Sequence, residues 1–153
     1  MKDCIFCKIV KGEIESAKIW EDKEFLAILD IMPNTKGMTL VITKKHYDSY
    51  AFDMPNRIYS RLMLASKKVA KILEKGLGVS RVAMVMEGME VNHVHIKLYP
   101  LHGIKEKFKK ILTKKTVFFE KYKGYITTQS GEKVNINELK KLAEKIKKIT
   151  NPN

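Results

Sequence analysis

Apolar and polar residues alternate along this 153-residue chain in two different periods, and the period changes mark its elements. Lys18-Ile19-Trp20-Glu21-Asp22 and Phe25 to Ile31 are two apolar-rich runs separated by Lys23-Glu24, a pattern that predicts two strands joined by a tight turn. Met32-Pro33-Asn34 breaks the ladder because Pro33 has no backbone donor, and Asn34 through Gly37 supply turn chemistry. Met38 to Thr43 then resumes as a β-branched strand. Past His46, Asp53-Met54-Pro55-Asn56 opens a helix in which Ile58, Leu62, Ala65, Val69 and Ile72 recur at helical spacing until Gly76. Two further strands follow, Arg81 to Met86 and His93 to Leu98, with Glu87-Gly88-Met89-Glu90 between them.

The last of these segments carries unusual chemistry. In a strand, alternate residues share a face, so His93, His95 and Lys97 line one side at spacings of about 6.5 Å while Val94, Ile96 and Leu98 face the other. A pair of half-buried sheet histidines is the plain reading of two such residues. A lysine beside them makes a row that can do more, because neutral imidazole is a nucleophile and proton carrier while an ammonium holds an oxyanion. Phosphate is the target this set suits best.

Beyond Pro100 the pattern changes again. A lysine-rich stretch at 105–115 precedes an aromatic segment from Thr116 to Tyr125 and a turn at Gln129-Ser130-Gly131-Glu132. Asn135 with Glu138 resembles a capping box, opening a helix whose apolar stripe is Leu139, Leu142, Ile146 and Ile149. The chain therefore reads as residues 1–103 followed by a basic extension, 104–153, packed on the first part or on a second subunit, within a single domain overall.

Composition narrows the class. With 44% hydrophobic and 31% charged residues the chain is that of a folded globular protein, and its length supports one core. No apolar run is long enough to span a membrane, and the polar start Met1-Lys2-Asp3-Cys4 lacks the apolar core of a signal peptide, so the cytosol is the expected compartment. The net charge of +13 is concentrated after residue 103 and favours anionic partners. Only Arg57, Arg61 and Arg81 among the 30 cations are arginines, which also fits a general preference for lysine on a solvated surface.

Cys4-Ile5-Phe6-Cys7 places two thiols where both can reach one tetrahedral metal ion. Buried reduced thiols are the alternative, since cysteine behaves as a small hydrophobe, and a redox pair is disfavoured by the absence of a βαβ setting. Two more ligands would come from His46, His93, His95 and His102, and spacing alone does not choose between them.

Taken together, Cys4 to Ile9, Phe25 to Asp30-Ile31, Gly37 through Ile42 to Lys45-His46, and Gly88 through Val91 to His93-Val94-His95 resemble the histidine triad nucleotide-binding family over residues 3–103. The resemblance implies an α+β fold: a five-stranded antiparallel sheet with one long helix and a short one, here followed by an extension ending in an amphipathic helix. It also implies a homodimer that binds a purine nucleotide and cleaves at its α-phosphorus. By the same resemblance His95 attacks phosphorus, Ile28 lines the base pocket, Asp30 binds ribose, and backbone around Gly88 holds phosphate. Structural zinc would sit on Cys4, Cys7, His46 and His93.

Three departures from the family pattern stand out: Lys97 at the third triad position, Met38 where a histidine is usual, and a shortened phosphate loop with Met89 in place of glutamine. Lysine serves as a point charge but cannot relay a proton between two ring nitrogens. The resulting expectation is a phosphohydrolase or nucleotidyl transferase working through His95 and Lys97. The alternatives are a nucleotide-sensing module that has lost turnover, and a deadenylating protein whose basic extension meets nucleic acid.

Overall fold

Five antiparallel strands form one sheet in the order β1-β2-β3-β5-β4 in the computed structural model, which describes residues 3–105, 108 and 110–127. The strands are β1 (Lys18–Glu21), β2 (Phe25–Leu29), β3 (Thr39–Thr43), β4 (Val82–Val85) and β5 (His95–Pro100). Two α-helices join them: a short α1 (Ile5–Lys11) and a long α2 (Asn56–Leu77). A 3-10 turn at Ala51–Asp53 precedes α2. The expected turn at 129–132 and helix over 135–149 lie outside the described residues. The chain divides into two compact units, residues 1–108 and 109–153; in the second, the Phe119 and Tyr125 rings meet edge to face at 5.4 Å.

Strands β2 and β3 are buried on both faces, which is why their sequences read as near-continuous apolar or β-branched runs. Phe25, Ala27, Val41, Ile96 and Leu98 pack with Leu62, Ala65, Val69 and Leu73 of α2 into the main core. Leu26, Ile28, Leu40 and Ile42 point the other way and pack with Phe6 of α1 into a second, smaller one. Trp20 joins the main core, and Phe25 is buried within it.

Several boundaries differ from the sequence reading. Strand β2 stops at Leu29, because the Asp30 N–H turns to the Met38 carbonyl at 2.9 Å and the Asp30 carboxylate accepts from Met32 N–H at 2.8 Å, closing a side-chain turn. Helix α2 runs through Gly76 to Leu77 and ends at Gly78, whose positive φ of 63° provides the left-handed stop. Its buried stripe uses Leu73, and Ile72 is left exposed. Strand β5 begins at His95, two residues later than the alternation suggests, since the His93 N–H closes a turn to Val91 O at 2.7 Å and Val94 N–H donates to Tyr47 O at 2.9 Å.

Register orders the face that carries His95. Ile42 pairs with His95 and with Leu26; Leu40 pairs with Lys97 and with Ile28; Val85 pairs with Lys97 from the edge strand. Ile28 and Lys97 therefore lie on one cross-strand row, two strands and about 9–10 Å apart.

Ile96 is fully buried against Val41 and helix α2. Ile96→Ala should cost about 2–5 kcal/mol, read as a lowered urea midpoint with unchanged slope; a loss below about 1 kcal/mol would contradict this packing.

Candidate functional site

Helix α1 begins at the cysteines. Cys4 occupies its N-cap position and Cys7 its first turn, so one helical turn brings both sulfurs to the same side. Two segments distant in sequence meet them there: the stretch after β3 that carries His46, and the stretch before β5 that carries His93. Asn92 ties these together, accepting from Ser49 N–H at 2.9 Å and donating to Asp48 at 3.2 Å.

The resulting cluster is Cys4, Cys7, His46 and His93, with one ligand atom from each and all four within 4.8 Å of one another. His93 Nδ1 lies 3.3 Å from Cys4 Sγ and 3.6 Å from Cys7 Sγ, and His46 Nδ1 lies 3.4 Å from Cys7 Sγ. Tetrahedral zinc, with Zn–S bonds of about 2.3 Å and Zn–N bonds of about 2.0–2.1 Å, requires neighbouring ligand atoms about 3.3–3.8 Å apart. Three of the six pairs stand at 3.3–3.6 Å and none exceeds 4.8 Å, so the donor set suits such an ion. His102 does not take part; it is exposed and donates from Nε2 to the Lys36 carbonyl at 2.8 Å.

The protonation states also suit a metal. His93 is fully buried and donates from Nε2 to the Thr43 carbonyl at 2.8 Å, which leaves Nδ1 as a lone-pair donor facing the sulfurs. Burial, then the nearby His46 and His95, lower its pKa to about 4 despite that hydrogen bond, so it is neutral at pH 7. Burial and the neighbouring Cys4 raise the Cys7 pKa, and a dication relieves the repulsion between two thiolates. The outer ring nitrogen of His46 faces Asp48 at 3.6 Å, which orients that imidazole.

His95 lies next to the cluster without joining it. Its Nδ1 sits 2.7 Å from the His93 carbonyl oxygen, which can only accept, so the ring proton resides on Nδ1 and Nε2 carries the lone pair. The ring is 4% exposed, packed edge-on to Phe6 at 5.2 Å between centroids. That tautomer leaves Nε2, the nitrogen away from the His93 carbonyl, as the ring's lone-pair atom. Burial chiefly lowers the His95 pKa and Lys97 adds to this, against the His93 carbonyl, Glu90 and Asp30. A neutral imidazole with a free Nε2 is a nucleophile in form.

Lys97 follows on the same face, its ammonium 3.0 Å from Glu90 Oε2 and 3.9 Å from Glu87 Oε2. Burial alone would lower the Lys97 pKa, but the hydrogen bond and charge of Glu90, with Tyr99 and Glu87 behind it, raise it. Of the other expected residues, Ile28 is buried in the smaller core, and Asp30 is half-buried at the end of β2. Gly88 has φ of +75°, and a Cβ there would stand 2.7 Å from the Ser49 carbonyl oxygen. A cavity of about 750 Å³ opens beside the metal-type cluster, lined by Asp3, Cys4, Ile5, His46, Asp48, Glu90, Val91 and Asn92, and not by His95 or Lys97.

Sequence reading did not anticipate Thr43, Asn92 or the two glutamates as partners of these groups. Glu87 and Glu90 flank the expected loop Gly88 and are visible in the sequence, but nothing in their spacing says that both fold back onto a lysine seven or more residues away.

Comparison with known proteins places this geometry in a family. The HIT domain profile matches residues 11–104, and the chain belongs to that family. An uncharacterized HIT-like protein of Methanocaldococcus jannaschii, MJ0866, is 42% identical over 102 residues, covering 63% of this chain and 78% of its own. Adenosine 5'-monophosphoramidase HNT1 of Saccharomyces cerevisiae is 38% identical over 98 residues, covering 63% of this chain and 61% of its own. Among solved structures, a zinc-bound histidine triad family protein from Mycobacterium smegmatis superposes with a TM-score of 0.60 at 32% identity, over 72% of this chain and 84% of that one. No helix among the described residues is long and apolar enough to cross a membrane.

Gly88→Ala forces a Cβ into the Ser49 carbonyl at a backbone angle L residues avoid. It should destabilise the fold by about 1–3 kcal/mol, measured as a shift in denaturant midpoint; a neutral or stabilising alanine would show that this loop sits elsewhere.

Proposed function

We propose that this protein is a nucleotide hydrolase or nucleotidyl transferase that acts at the α-phosphorus of a purine nucleotide through a covalent adduct on His95. The observation that carries the reading is the orientation of that ring, with its proton given to the His93 carbonyl and its lone pair on Nε2. In the first step Nε2 forms a bond to phosphorus as the bond to the leaving group breaks, and the leaving group takes a proton from solvent. In the second, water or another acceptor attacks phosphorus, the P–N bond breaks and His95 is restored. Burial supports this chemistry by keeping the imidazole neutral.

The remaining roles follow the cross-strand rows. Lys97, one alternate residue on from His95, holds a phosphate oxygen as a point charge. Ile28, on the same row as Lys97, lines the base pocket, and Asp30, at the end of β2, takes the ribose hydroxyls. Backbone N–H groups around Gly88 bind phosphate, where the positive φ opens the loop. Similarity to an adenosine 5'-monophosphoramidase supports a hydrolase acting on such compounds.

Cys4, Cys7, His46 and His93 hold zinc in a structural role. The ion supplies cross-linking of the N-terminal helix to the sheet and no step of the reaction. The homodimer belongs to the same proposal, supported by β4 standing at the outer edge of the sheet with Met84 exposed.

His95→Ala should abolish turnover of adenosine phosphoramidate, by about 10³-fold or more, while the wild type yields a nucleotidyl-protein adduct detectable by mass spectrometry after acid quench. Equal, negligible turnover in both proteins over phosphoramidate, dinucleoside polyphosphate and nucleoside diphosphate would leave a binding module in its place, the reading that the engaged state of Lys97 favours.

Metal analysis should give one zinc per chain. Removing it with a chelator should lower stability by several kcal/mol, since structural zinc contributes on the order of 10 kcal/mol to folding. Cys7→Ser should lose the ion, and retention of full zinc by that variant would exclude this cluster as the site.

A further inference from the structure

The third triad position holds more than a lysine. Lys97 is 13% exposed and has two carboxylates on its ammonium: Glu90, 58% exposed, at 3.0 Å, and Glu87, 15% exposed, at 3.9 Å. One ammonium thus meets two carboxylates, so the corner around Lys97 is net anionic although the chain carries +13. Both glutamates come from the short segment between β4 and β5, and Glu87 Oε1 is buried with no hydrogen-bond partner while its Oε2 lies 3.9 Å from the ammonium.

Such a corner discriminates by charge. A nucleotide with a single phosphorus and an esterified or amidated oxygen brings one negative charge and needs only Lys97. A nucleotide with a free polyphosphate brings further charges into a region whose one cation is already shared by two carboxylates, and each further charge is repelled by Glu87 and Glu90. We propose that Glu90 and Glu87 are specificity-determining residues that select monoanionic nucleoside monophosphate conjugates and disfavour nucleotides bearing a free polyphosphate. The inference rests on the nucleotide site proposed above and adds to it a substrate class set by this chain's own loop. Glu90, the more exposed of the pair, sets the part that salt screens; Glu87, buried at the root of the loop, sets the part that salt leaves.

Binding tests this without requiring turnover. Calorimetric titration of the full-length protein with adenosine 5'-O-methylphosphate, a monoanion, and with ADP gives a ratio of dissociation constants. The wild type should favour the monoanion at low salt. Glu90→Gln should shift the ratio toward ADP by about five-fold, the factor for one unit charge about 4 Å away in a water-like medium, with the shift largely erased at 0.5 M salt. Glu87→Gln should shift it in the same direction with less salt dependence, and Glu90→Asp should restore the wild-type ratio. A ratio unchanged within two-fold in both glutamine variants, or a wild type that prefers ADP, would overturn the proposal while leaving the nucleotide site intact. Failure of either nucleotide to bind any of these proteins would overturn both together.

Discussion

One buried imidazole holds the candidate site in register. His93 is fully enclosed, and each of its polar groups is engaged. Nε2 donates to the Thr43 carbonyl, Nδ1 faces the two sulfurs, and the backbone carbonyl accepts the proton of His95 Nδ1. A buried polar group is costly unless it is paired, so the ring cannot turn without leaving a donor or acceptor stranded. Orientation of the metal-type cluster and tautomer of the neighbouring nucleophile candidate are therefore two consequences of one side chain. Whatever disturbs the cluster is felt at His95 through a single carbonyl.

The short helix α1 is as important as the long one, though it buries far less. Helix α2 closes one face of the sheet with an apolar stripe and stabilises the fold, whereas α1 covers part of the opposite face with Phe6 and carries the cysteines in its first turn. Phe6 sits edge-on to both His93 and His95, so the same ring that fills the smaller core lowers the polarity around the two imidazoles. Burial then lowers the pKa of both, which suits one as a candidate ligand and the other as a candidate nucleophile. A seven-residue helix is marginal by itself, and a cross-link to the sheet through four ligands is what would hold it in place.

Lys97 lies on the same strand face as His95 and differs from a histidine in what it can do there. A histidine there would carry a proton to and fro near neutral pH; an ammonium held by Glu90 and Glu87 stays charged throughout, because the same carboxylates raise its pKa. The site is thereby divided between a neutral nucleophile candidate and a fixed ion cluster. The loop before His93 supplies both carboxylates that face this lysine, which suits a half-buried cation that would be costly to leave unpaired.

Much of this architecture can be read from residue order. Alternation in 94–98, the near-continuous apolar runs of β2 and β3, and the helical period of 58–69 announce their elements, because burial acts on each segment through a fixed period of two or 3.6. The CxxC spacing and the pair of histidines likewise point to a metal and a nucleophile, and the family resemblance names the ligands. What residue order leaves open is decided by contacts between segments far apart. The start of β5 shifted by two residues when Val91 and Tyr47 took the backbone hydrogen bonds of His93 and Val94, and α2 outran Gly76, which stays helical, to end at the left-handed Gly78. His102 was excluded from the metal cluster because its ring reaches the Lys36 carbonyl instead. The pairing of Lys97 with Glu87 and Glu90 arises only when β4 and β5 lie side by side. Local periodicity specifies which face a side chain takes; which charges then meet across that face depends on register between strands, and that is a property of the folded sheet alone.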